Sequence, residues 1–120
     1  MKSKLKTIKI ASISDFVKKI DWTKVDGLVP VISQDYLGGR VLMLGYMNQE
    51  ALQKTLTERI ITYYSRTRSV LWTKGETSGN FQIVKKVFLD CDNDTILIKT
   101  KQKGAVCHTG QLTCFYQEYK

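Results

Sequence analysis

The sequence predicts an α+β protein dominated by antiparallel β-sheet, with two short helices. Three observations carry that expectation. Apolar, β-rich runs recur between turn residues at 28–33, 40–47, 60–65, 70–73, 81–91 and 95–100. Two other stretches place apolar residues at helical spacing behind a capping side chain. At 120 residues and 42% hydrophobic composition, the chain has room for one core but not two.

The elements follow in order. Ser14-Asp15 can cap a short helix whose apolar side is Phe16, Val17 and Ile20. Pro30, the only proline, stands near the start of the 28–33 run, where a missing N–H is tolerated. Gly38-Gly39 turns the chain into the run 40–47, expected as a buried strand. Asn48 is a natural N-cap for a helix over 49–57, with Leu52 and Leu56 on one face. The runs 60–65 and 70–73 flank Arg66-Thr67-Arg68-Ser69 and read as a hairpin. Residues 74–80 form a polar loop with two glycines. The long strand 81–91 has its alternation blurred at Ile83-Val84 and Val87-Phe88-Leu89. Asn93-Asp94 turns it into 95–100, with Ile96 and Ile98 on one face. A loop at 104–110 and a closing strand at 112–116 complete the chain.

The net charge of +8 suits solubility, and equally a phosphorylated small molecule or a nucleic acid. Basic groups gather at 2–9, at Arg66, Arg68 and Lys74, and at Lys99, Lys101 and Lys103. The basic N-terminus is followed by no apolar run of signal-peptide length, and no stretch approaches a membrane span, so a cytoplasmic address is expected. Three cysteines cannot close a disulfide framework without one left over, and reduced thiols on a metal fit better.

The chemistry concentrates in Asp90-Cys91-Asp92-Asn93-Asp94, Cys107-His108 and Cys114, which use every cysteine and the only histidine. Thiolates suit zinc, and carboxylates suit a hard cation such as magnesium. On an extended chain Asp90, Asp92 and Asp94 share one face and Cys91 takes the other. Like charges so close need a cation or basic side chains, although a solvated acidic turn is the simpler account of Asp-x-Asp alone. An EF-hand loop fits poorly, because Thr95 and Lys101 stand where its Gly and Glu belong. The cysteine spacing is not that of a zinc finger, and three small buried thiols would also explain it. If three cysteines do hold zinc, a fourth position stays open for water, as in a catalytic site. Zinc on three thiolates acidifies that water less than zinc on three histidines would, so a nearby base would help. His108 is the candidate base, or else a fourth ligand that would make the site structural.

These residues carry a resemblance. The segments are Gly27-Leu28-Val29-Pro30, Val41 through Asn48, Tyr63-Tyr64-Ser65-Arg66, and Leu71-Trp72-Thr73-Lys74-Gly75-Glu76-Thr77-Ser78-Gly79-Asn80. They continue with Leu89 through Asp94, Cys107-His108-Thr109-Gly110 and Cys114-Phe115-Tyr116. In this order and spacing the chain resembles the phosphoribosyl-AMP cyclohydrolases over residues 27–117, with 1–26 left as a basic segment and short helix. It departs from their pattern at Ala105-Val106, where they carry a proline before the Cys-His pair, and at Tyr64, where they carry Phe.

The resemblance implies zinc on Cys91, Cys107 and Cys114, and magnesium on Asp90, Asp92 and Asp94. It implies an intertwined homodimer in which the zinc ligands come from both subunits. It implies hydrolysis of the N1–C6 bond of the adenine ring of 1-(5-phosphoribosyl)-AMP, an amidine hydrolysis in histidine biosynthesis. His108 would take the proton of the attacking water. Many similar chains carry a second, pyrophosphohydrolase domain, which this chain is expected to leave to another polypeptide. Arg66, Arg68 and Lys74 are candidates for holding the two phosphates, helped by Ser78 and backbone N–H groups near Gly75 and Gly79. Trp72 is a candidate for stacking on the purine, although a strand tryptophan also suits a core. The competing readings are a small zinc-stabilised nucleic-acid-binding module, which the bare carboxylates disfavour, and a purely structural zinc dimer.

Overall fold

In the computed structural model residues 5–120 are described, so Lys2 and Lys4 of the basic N-terminal group lie outside the described residues. The first helix, α1, runs Ile13–Lys19. Its N-cap is Ser12, whose hydroxyl accepts the Asp15 N–H at 3.0 Å. The expected cap at Ser14-Asp15 is thus displaced. Ser12 has the extended backbone a cap requires, and Asp15 sits in the first turn, where a carboxylate suits the helix dipole. Phe16 and Val17 are buried as expected.

Six strands and a second helix follow: β1 Val29–Asp35, β2 Val41–Met47, α2 Gln49–Glu58, β3 Thr62–Ser65, β4 Val70–Thr73, β5 Gln82–Leu89 and β6 Ile96–Gln102. A four-stranded sheet has the order β2-β1-β6-β5, and β3-β4 forms a separate hairpin. Pairing is antiparallel except between β1 and β6, which run parallel. The expected α+β class with mainly antiparallel sheet is what the structure has. Pro30 pairs with Tyr46 of β2, and the β6 ladder begins one residue later at Val31, so the missing N–H falls outside that ladder.

Two bulges explain where simple alternation fails. Ser33 pairs with Met43 and Gln34 with Val41, leaving Leu42 as an extra residue in β2. Leu42 and Met43 are therefore both buried, while Val41 and Leu44 are exposed rather than sealed in as expected. In β5, Val84 pairs with Thr100 and Lys86 with Lys99, so Lys85 is the extra residue. Lys85 and Lys86 accordingly face solvent together, within the run whose alternation the sequence blurs.

Asn48 caps α2 by accepting the Ala51 N–H at 2.8 Å, and Arg59 ends it in the left-handed conformation at φ 63°. Leu52 is fully buried and Leu56 packs at the margin of the core. The Thr55 hydroxyl accepts the Thr62 N–H at 2.9 Å and donates to the Thr62 carbonyl at 3.1 Å, tying α2 to the entry of β3. A bridge between Ile60 and Ile83 then joins the hairpin arm to β5. Ile96 and Ile98 are fully buried on one face of β6, as their spacing predicts.

Tyr63 lies at the centre of the core. Its hydroxyl donates to Gln82 Oε1 at 2.7 Å, and Gln82 Nε2 donates to Ser33 Oγ at 3.2 Å. Gly45 of β2 lets the Tyr63 ring approach: a Cβ there would stand 2.5 Å from ring atom Cδ1. The ring is fully enclosed and cannot swing away. Gly45→Ala is therefore expected to cost about 1–3 kcal/mol, read as a lower urea midpoint at unchanged slope.

The expected closing strand at 112–116 does not form. Leu112 and Phe115 are exposed, and the segment is tied to β2 by point contacts instead of a ladder. The Cys114 N–H donates to the Leu42 carbonyl at 2.8 Å, and the Thr113 hydroxyl donates to the Val41 carbonyl at 2.7 Å. The Leu42 bulge interrupts the regular row of edge groups that a further strand would need.

Candidate metal centre

β5 stops at Leu89, and residues 90–95 curl into a turn. Asp90 Oδ1 accepts the N–H groups of Asp94 at 2.9 Å and Thr95 at 3.0 Å, and Asn93 takes φ 63°. The expectation of an extended 90–94 segment with alternating faces is thus corrected, because these side-chain bonds to the backbone favour an Asx-type turn over a ladder. The turn still gathers the carboxylates: Asp90, Asp92 and Asp94 each offer an oxygen, all within 4.8 Å of one another.

Lys24, from the connection after α1, answers the charge. Its ammonium stands 2.8 Å from Asp94 Oδ2 and 3.1 Å from Asp92 Oδ2. The ammonium beside Asp94 holds that carboxyl down at about 2, and the two carboxylates push the lysine above its usual range. Asp90 moves the other way, upward, because partial burial opposes its charge. Opposite carboxylate oxygens around one magnesium lie about 4.2 Å apart, from metal–oxygen bonds of about 2.1 Å. Neighbouring ones lie about 3.0 Å apart, so three carboxylate oxygens already within 4.8 Å of one another have only to close in, and the donor set fits one hard cation. Lys24→Met is expected to lift the Asp94 pKa from about 2 toward the ordinary ~3.9, measurable by carboxyl-carbon NMR titration. The sign follows from the partner: the pair stabilises the fold above the ordinary carboxylate range and fades as pH falls toward 2.

The thiols lie elsewhere. After β6 the chain folds into a tight loop in which the Val106 and Cys107 N–H groups both donate to the Gln111 carbonyl at 3.1 Å. The Gly110 N–H closes back on the Cys107 carbonyl at 2.9 Å. Val106 is buried and anchors the loop. Cys107 and Cys114 are near enough to perturb each other. Hydrogen bonding to Thr109 holds the Cys107 thiol below its usual range, whereas burial, then Cys107 itself, pushes Cys114 up.

Cys91 is exposed on the acidic turn, facing a cleft of about 790 Å³ between the N-terminal segment and β5, lined by Ile8, Phe16, Leu56 and Lys85 among others. The sheet order places β5 and β2 at opposite edges. Three inter-strand steps of about 4.8 Å put the Leu89 end of β5 about 14 Å from β2, where Cys114 is docked. Among the described residues the aspartates are the only metal-ligating group of three or more that one chain assembles. The thiol pair has the donor chemistry of zinc, and one chain supplies it with two of the three cysteines.

The remaining candidates are dispersed. His108 is exposed beside Cys107, and no described residue hydrogen-bonds its ring. Arg66 lies over the Tyr46 ring, 4.1 Å from its centre, while Arg68 is exposed on the β3–β4 turn. Neither arginine forms an ion pair among the described residues. Trp72 packs on Tyr63, ring centres 5.2 Å apart, as a core residue does. Ser78 Oγ accepts the Asn80 N–H at 3.2 Å, and Lys74 donates to the Val106 carbonyl. Sequence reasoning missed Lys24, which pairs with Asp92 from 68 residues away. It also missed Thr113 and the Leu42 bulge, for which the paired Leu42-Met43 apolar step was the only sign.

Together these features define a small α+β domain whose polar chemistry is a carboxylate trio on one turn and a thiol pair on another. Residues 43–116 match the family described as phosphoribosyl-AMP cyclohydrolase. The chain is 55% identical over 102 residues to a phosphoribosyl-AMP cyclohydrolase of Clostridium beijerinckii, spanning 85% of this chain and 94% of that one. It is 51% identical over 107 residues to one from Clostridium botulinum, spanning 89% and 98%. It is also 59% identical over 101 residues to the histidine biosynthesis bifunctional protein HisIE of Haemophilus influenzae, spanning 84% of this chain and 46% of that protein. The chain thus spans about half the length of the bifunctional relatives it matches. It belongs to the phosphoribosyl-AMP cyclohydrolase family. Among the described residues no helix is long and apolar enough to cross a membrane.

Proposed function

We propose that this chain hydrolyses the N1–C6 bond of the adenine ring in 1-(5-phosphoribosyl)-AMP, as a cytoplasmic step of histidine biosynthesis. The observation that carries the reading is the acidic turn, which sets Cys91 among three converging carboxylates inside the segment that matches the cyclohydrolase family.

Cys91, Cys107 and Cys114 would hold zinc, and Asp90, Asp92 and Asp94 magnesium. When bound, zinc makes a water acidic enough to serve as nucleophile near neutral pH, and magnesium balances the carboxylates and phosphates. Cys91 of one copy would join Cys107 and Cys114 of a second in a homodimer. The three inter-strand steps between the end of β5 and β2, about 14 Å, support that division. Exposed apolar residues on the same tail, Leu112, Phe115 and Tyr119, supply surface that a second copy would cover.

The residues have distinct tasks. His108 takes a proton from the water that adds to C6 and returns one to N1 as the N1–C6 bond breaks. The former exocyclic nitrogen stays on C6 as a carboxamide. Alkylation of N1 in the substrate makes C6 more electrophilic and N1 a better leaving group. Arg66 and Arg68 would take phosphate, a role that their exposure on one turn and their freedom from ion pairs among the described residues support; Ser78 offers a hydroxyl nearby in sequence to Lys74.

The test follows the ultraviolet spectrum of phosphoribosyl-AMP with zinc-loaded protein, before and after a chelator. Ring opening that stops with chelation is expected. An unchanged spectrum with loaded protein would overturn the proposal.

A further inference from the structure

Lys74, a candidate for phosphate by its sequence, turns its ammonium inward. It donates to the carbonyl of Val106, the residue before Cys107, and it is half-buried rather than free in solvent. That bond holds the ammonium at the residue that precedes Cys107 in the chain. The rest of its loop is fastened to the same place. Gln102 Nε2 bonds to the Asn80 carbonyl at 3.1 Å and to the Ala105 carbonyl at 3.5 Å, bridging 74–80 to the residues before Cys107. A Cβ on Gly104 would stand 2.3 Å from Asn80 Oδ1, so the two loops touch without space between them. Gly75 is buried, and a Cβ there would stand 2.4 Å from the Phe81 nitrogen. The 74–80 loop is therefore a rigid backing for the cysteine loop.

We propose that Lys74 is a positioning residue of the thiol pair: it pins the Val106 carbonyl, and its charge balances Cys107 and Cys114 when both act as metal-binding thiolates. This rests on the reading of those cysteines as zinc ligands. Two adjacent thiolates and a third from another chain leave a zinc centre with net charge about −1. One ammonium at the edge offsets it, as second-sphere partners of metal ligands do. The role draws Lys74 away from the substrate phosphates.

The experiment measures zinc affinity by competition with a colorimetric chelator for wild type, Lys74→Met, Lys74→Gln and Lys74→Arg. Circular dichroism checks the fold, and KM and kcat are taken at saturating zinc. Lys74→Met is expected to weaken zinc binding about 10- to 100-fold, with Arg restoring most of it and KM for substrate nearly unchanged. Should Met fail to fold, Gln keeps a donor for Val106 without the charge, and weaker zinc binding by Gln is the expected result. Zinc affinity equal to wild type in the neutral variants overturns the inference, above all if KM rises instead, which is the signature of a phosphate contact. Wild-type protein that takes up no zinc overturns the ligand reading itself, and this inference with it.

Discussion

A one-to-one mixture of Cys91→Ala and Cys107→Ala chains, unfolded together and refolded, is expected to regain about a quarter of wild-type zinc-dependent turnover, where each variant alone has almost none. In a symmetric dimer with divided ligands, each site takes Cys91 from one copy and the Cys107–Cys114 pair from the other. Random pairing makes half the dimers mixed. Every mixed dimer then carries one site with both defects and one with none. A second mixture, Cys107→Ala with Cys114→Ala, should regain nothing, because those thiols share one loop region of one chain. Recovery in neither mixture would mean that all three ligands come from a single copy, and would require the tail to leave its docking on Leu42.

His108→Ala is expected to lower kcat about 10²- to 10⁴-fold while zinc content stays near that of wild type. The imidazole is exposed next to Cys107, and no described residue fixes it, so it is free to meet water and substrate. Zinc content is the deciding readout. A base touches the reacting proton and leaves the ligand set whole when removed, whereas a fourth ligand takes metal with it. Loss of zinc alongside loss of turnover would reassign His108 from base to ligand. A further check is the nitrogen leaving group: if His108 also returns a proton to N1, substrates with a more acidic leaving nitrogen should be less sensitive to its removal.

Local features were legible in the chain, and features made by distant strands were not. Asn48 and the helix behind it are visible because capping acts over a few residues. The aspartate trio is visible for the same reason, although its turn was mistaken for the end of a strand. The blurred alternation of 81–91 marks the Lys85 bulge, but nothing in the spacing shows that Asp90 Oδ1 closes the chain on itself and ends the strand at Leu89. The tail at 112–116 has strand composition, yet pairing depends on the edge it meets, and that edge is bulged. Lys24 has no local signature at all; only folding brings it to Asp92 and Asp94. The separation of Cys91 from its two counterparts is likewise a property of strand order, which no spacing in the sequence encodes.

The place of β6 has a consequence for how the molecule comes into being. β6 lies between β1 and β5, pairing in parallel with a strand more than sixty residues earlier in the chain. Until it arrives, β1 and β5 each lack a neighbour and the hydrophobic face of the sheet stays open. Parallel closure over so long a loop is entropically costly and is rewarded only when Ile96 and Ile98 reach the centre. Folding should therefore be highly cooperative and comparatively slow, with unpaired strand edges in the waiting chain. The Cys107 loop hangs directly from the end of β6, so the thiol pair can take its place only after that last strand is seated. Metal capture at the thiols would then be a late event in folding, following the sheet instead of nucleating it.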